Sequence, residues 1–82
     1  MRNIYIISRI VENDIGLSMP NLGVHSNVEK ANNHLNGIRE NRLNRNYKLI
    51  FNRTNKEDKF VRTVRVEFEN ITETIYIEKW GI

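Results

Sequence analysis

Apolar residues in positions 3–11 fall on two faces, Ile4, Ile6 and Ile10 on one and Tyr5, Ile7 and Val11 on the other. That pattern predicts a strand covered at least partly on both sides. Residues 12–22 lack clean periodicity, hold the single Pro and read as a mobile loop. Gly23-Val24-His25 suits a short extended piece. Ser26-Asn27-Val28-Glu29 matches a capping box, with Ser26 accepting from the Glu29 amide and Glu29 reaching back. The helix that follows shows an apolar stripe of Val28, Ala31, Leu35 and Ile38. Its end has two solutions: a stop at Asn36-Gly37 with a left-handed cap, or continuation to about Leu43.

Residues 47–53 alternate as a strand with Tyr47, Leu49 and Phe51 inward, and 54–59 form a polar loop. In the strand 60–68, Phe60, Val64, Val66 and Phe68 share one face, and Val61, Thr63, Arg65 and Glu67 the other. A four-residue loop at 69–72 would pair Val66 with Ile75 and Val64 with Ile77 along a last strand from about Glu73 to Trp80. The order β-α-β-β-β predicts an α+β fold, a two-layer sandwich with one helix on a mainly antiparallel sheet. Its 82 residues make one domain, 1–82.

A chain of this length buries only about 60% of its extended surface. It has no Cys, so disulfides and thiolate metal sites are excluded, and two His cannot hold a structural metal alone. Self-association is the remaining support, and a homodimer is expected. No stretch reaches the roughly 20 apolar residues of a membrane span. Residues 1–7 lack the features of a signal peptide. The expectation is a cytoplasmic protein without cofactor or metal.

Charge is sorted along the chain. Between Arg39 and Arg65 nine basic residues face three acidic ones, a balance of +6, against −3 for the rest and +3 overall. Such asymmetry draws polyanions to one surface. The nine, Arg39, Arg42, Arg45, Lys48, Arg53, Lys56, Lys59, Arg62 and Arg65, are the candidate nucleic-acid contacts; an ordinary solvated surface accounts for them equally well. Arg predominates, six to three, which suits bidentate phosphate contacts.

The sheet face away from the helix is expected to carry Tyr5, Ile7, Lys48, Ile50, Thr63, Arg65, Glu67, Tyr76 and Trp80. Aromatic and basic side chains together could stack bases. A half-apolar face also suits a dimer interface, built on Tyr5, Ile7, Ile50, Tyr76 and Trp80. His25 and His34 read as separate surface residues. No glycine-rich phosphate loop, nucleophile elbow or zinc-protease motif is present, and the chain reads as non-enzymatic.

Gly23-Val24-His25-Ser26-Asn27-Val28-Glu29-Lys30-Ala31 resembles the helix-capping element of many small accessory proteins of phages and their hosts, over roughly residues 3–35. The 13 Asn and 11 Ile, the size and the basic balance are similar to those of early host-takeover proteins of T-even-like phages. Within that group the RNA-binding inhibitors of toxin–antitoxin endoribonucleases fit best. The resemblance implies binding to RNA and to a host defence or toxin protein; it carries over no catalytic residue. A protein-only inhibitor and a small RNA-cleaving toxin using His34 are the competing expectations.

Overall fold

The computed structural model describes residues 2–13, 16–18 and 21–81. Strand β1 (Asn3–Glu12), β2 (Leu17–Ser18) and β3 (Asn21–His25) precede the helix α1 (Val28–Asn44). The strands β4 (Lys48–Thr54), β5 (Phe60–Phe68) and β6 (Ile71–Gly81) follow. The sheet order is β2-β1-β6-β5-β4, with β3 also paired to β1, and every pairing is antiparallel. One helix lies on one face, so the predicted two-layer α+β architecture stands. The core is Ile7, Ala31, Leu35, Val61, Val64, Val66, Ile75 and Ile77, each at most 1% exposed.

The expected mobile loop at 12–22 is partly structured. Glu12 closes β1, Leu17 and Ser18 pair back on Glu12 and Val11, and Asn21 pairs with Ser8. Residues 14, 15, 19 and 20 lie outside the described residues.

The helix start is one residue later than the capping box implies. Asn27 is the N-cap, in extended backbone, and its Oδ1 accepts from the Glu29 and Lys30 amides at 2.7 and 3.3 Å. Asn matches Ser as a cap. The helix then runs through Gly37, whose missing side chain would have met open space, and the stripe continues past Ile38. It stops at Asn46, at φ 69. The Asn46 amide donates to the Leu43 carbonyl and the Tyr47 amide to that of Arg42, at 3.1 Å each, a Schellman closure in which Asn tolerates the left-handed backbone.

Two bulges decide which residues face the helix. One lies between Leu49 and Phe51, the other between Phe60 and Arg62. Each extra residue inverts the alternation. Phe51, expected inward, pairs with Arg65 on the helix-free face. Val61, expected outward, is 1% exposed in the core, and Phe60 pairs with Glu78 on the helix-free face. The β5–β6 turn is Glu69-Asn70, two residues rather than four, with Glu69 at φ 52. Its register pairs Val64 with Ile75 and Val66 with Glu73. The two-residue slip keeps the faces and places a carboxylate, Glu73, under the helix.

Helix α1 packs on β1, β3, β5 and β6. All seven residues of β4 are exposed, so this edge strand projects beyond the helix.

Candidate nucleic-acid interface

Directly paired residues share a face, so the register lists the helix-free surface. Strand β1 contributes Ile4, Ile6, Ser8 and Ile10, and β6 their partners Trp80, Glu78, Tyr76 and Thr74. Strand β5 adds Phe60, Thr63, Arg65 and Glu67, and β4 adds Lys48, Phe51 and Arg53. The surface is mainly apolar over β1, mixed aromatic and polar over β6, and basic-aromatic over β5 and β4.

Four aromatic rings mark it. Phe60 and Tyr76 meet edge to face at 5.5 Å. The Lys59 ammonium lies 4.1 Å from the Trp80 ring centroid, and the Arg65 guanidinium 5.9 Å from that of Phe51. Cations over rings are attracted by the ring quadrupole. Lys59 also pairs with Glu78 at 3.4 Å, Arg53 with Asp58 at 3.3 Å, and Arg65 Nε donates to Thr74 at 3.2 Å. The two ion-paired cations are half exposed, at 52% and 53%, and ion pairs at a surface contribute about 0–1 kcal/mol each.

The nine expected basic contacts are therefore split. Lys48, Arg53, Arg65 and Lys59 border the aromatic rings. Lys56 is exposed in the loop after β4, and Arg45 is exposed at the end of α1. Arg39, Arg42 and Arg62 lie on the helix side, and these three correct the expectation of one continuous basic surface. Arg42 Nε donates to Glu73 at 2.8 Å, with side chains only 14% and 7% exposed. Arg62 is 8% exposed. The sequence could not separate them, because charge along a chain carries no record of bulges or of the helix flank.

The expected dimer residues also divide. Ile7 is fully buried under the helix and Tyr5 packs against the same core, so neither belongs to the helix-free face. With apolar residues on both sides of β1 the parity was undetermined, and Ile4, Ile6 and Ile10 take the outer positions. Tyr76 and Trp80 are on the expected face. Ile50 is the bulge residue of exposed β4, 43% exposed.

The two histidines are not separate surface residues. His25 on β3 and His34 on α1 are joined by an Nε2···Nδ1 hydrogen bond of 3.0 Å, rings edge to face. One ring donates and the other accepts. Gly23 makes the approach feasible, since a Cβ there would stand 3.1 Å from His34 Cε1. His34 lines an open groove of about 420 Å³ with Arg9, Leu22, Ile38 and Arg42 among its walls. Among the described residues no group of three or more His, Asp or Glu is placed to hold a metal ion, and no helix is long and apolar enough to cross a membrane. Comparison with known proteins finds no matching family model, no similar curated protein and no similar solved structure.

Proposed function

We propose that this chain is a small non-enzymatic binding protein that holds single-stranded RNA on its helix-free sheet face. The observation that carries the reading is the grouping of Phe51, Phe60, Tyr76 and Trp80 on one face, with Lys59 and Arg65 over two of the rings and Lys48 and Arg53 beside them. Rings stack on bases whatever their identity, and flanking cations take the phosphates. Each stacked base is worth roughly 1–3 kcal/mol by alanine substitution.

The test is fluorescence anisotropy of a labelled single-stranded RNA. With three phosphate contacts, from Lys48, Arg53 and Arg65, affinity falls about twenty-fold between roughly 50 and 200 mM salt. Phe51→Ala and Trp80→Ala each weaken binding roughly five-fold or more, while the far-UV spectrum stays unchanged. Absence of binding at either salt rejects the RNA reading.

A second reading has its own observation. Strand β4 presents exposed Leu49, Ile50 and Phe51 on an uncovered edge, and such edges pair with strands of other chains. Its charged residues are both basic, Lys48 and Arg53, which favours an acidic partner. This is the protein-only module, an inhibitor of a host defence or toxin protein in the phage-type resemblance, and it requires tight protein binding with no RNA affinity.

A further inference from the structure

Arg62 is the least exposed cation among the described residues, at 8%. It makes no ion pair, its Nε is buried without a partner, and its Nη1 donates only to Asn32 Oδ1 at 3.4 Å. Burial lowers the pKa of its guanidinium below the usual value, and the charge of Arg39 lowers it further. Arg39 has a buried Nε that is also unpartnered, and its one carboxylate contact is with exposed Glu40 at 3.3 Å. Asn36 Oδ1 is buried without a donor. Positions 32, 36 and 39 succeed one another at 4 and 3 residues, so they form one stripe of α1, and the Asn32 contact turns that stripe towards β5.

Two like charges share this flank with a buried acceptor, and among the described residues no carboxylate pairs with Arg62. Glu73, the buried carboxylate under the helix, is taken by Arg42. A buried cation without a counter-charge is costly, and guanidinium holds its proton, so the cost is not relieved by neutralisation.

We propose that Arg39, Arg62, Asn32 and Asn36 form a binding site for a phosphate oxyanion between α1 and β5. The unpartnered Nε–H groups of the two guanidiniums are donors of the kind that grip oxyanions. Asn36 Oδ1 selects among them: it accepts a hydrogen bond, and hydrogen phosphate brings a P–OH to give, whereas sulfate and a phosphodiester bring none at neutral pH. The site therefore takes inorganic phosphate, which keeps a P–OH at neutral pH, in preference to a monoester, which is mostly the dianion there. It lies on the opposite side of the sheet from the aromatic face and stands or falls independently of RNA binding there.

The test follows the arginine Nε–H resonances of the full ¹⁵N-labelled chain at neutral pH and constant ionic strength. Sodium phosphate, sodium sulfate, sodium chloride and a dinucleoside monophosphate are titrated in parallel. Phosphate is expected to shift Arg39 and Arg62 along a saturable curve and to leave exposed Arg53 unmoved. Sulfate and the diester should bind at least about tenfold more weakly, the difference a buried unpaired acceptor makes. Arg39→Gln and Asn36→Ala, at positions that do not carry the core, should each weaken phosphate by a similar factor; they keep the test open if Arg62→Gln does not fold. Shifts that are linear and equal in all salts overturn the site. Diester or sulfate binding as tight as phosphate overturns the assignment to inorganic phosphate.

Discussion

Removing Glu73 is the sharpest perturbation the fold offers, because it asks whether Arg42 serves RNA or the core. The Arg42–Glu73 pair is 2.8 Å long and both side chains are at least 86% buried. Glu73→Ala leaves the Arg42 guanidinium buried without a counter-charge, in a groove that Arg9 also lines. Breaking one partner of a buried pair costs about 3–5 kcal/mol. A domain of 82 residues has a total stability of roughly 4–12 kcal/mol, so the loss takes a large share of it. At about 4–8 °C per kcal/mol for this size, the midpoint of thermal unfolding should fall by at least about 12 °C. Urea unfolding followed by circular dichroism supplies the free energy, with the slope m unchanged if only the native state is affected. The double variant Arg42→Met/Glu73→Leu replaces the pair by apolar groups and should regain most of the loss. Under the proposed reading its affinity for single-stranded RNA should equal that of the parent, since Arg42 is not on the aromatic face. A cost below about 1 kcal/mol for Glu73→Ala would refute the energetic argument. Lost RNA affinity in the folded double variant would refute the assignment of Arg42 to the core.

Three further outcomes bear on the fold. Asn27→Ala should cost about 1 kcal/mol and Ser26→Ala close to nothing; the reverse order in urea midpoints would restore Ser26 as the cap. Gly37→Ala should stabilise the chain by up to about 1 kcal/mol, because the helix is continuous there and a Cβ meets open space; a loss of stability would speak for a backbone break at Gly37. Leu35→Ala, at a position 0% exposed, should cost about 2–5 kcal/mol in the same assay.

The helix stripe, the meander of three strands and the two-layer arrangement were legible in the sequence because each rests on a local period: 3.6 for Val28, Ala31 and Leu35, and 2 for Val64 and Val66. The candidate site was legible only in outline. Bulges at Ile50 and Val61 leave no mark in an apolar pattern, yet each turns the residues beyond it over, and so Phe51 and Phe60 moved to the helix-free face. In β1 both sides are apolar, so nothing in the pattern could say whether Tyr5 and Ile7 or Ile4 and Ile6 lay beneath the helix. The His25–His34 bond was hidden for a different reason: it joins a strand to a helix through tertiary packing, nine residues apart. The division of the arginines follows from the β5 bulge and the flank of α1, both set by packing rather than by charge.

The pairing of β1 with β6 has a consequence for how the chain acquires its structure. These two strands are the first and last of the seven elements, and they run side by side along all of β1, from Asn3 against Gly81 to Glu12 against Thr72. The centre of the sheet thus depends on the contacts most distant in sequence, and contacts of that kind form slowly. During synthesis β1, β3 and α1 emerge with an unfilled slot beside them, and the apolar edge of β1 stays bare until β6 arrives. A stop codon a few residues before Ile71 would remove the middle of the sheet rather than its margin, leaving the β4–β5 hairpin with nothing to join it to β1. Such truncated chains belong to the aggregation-prone species that chaperones and proteases clear.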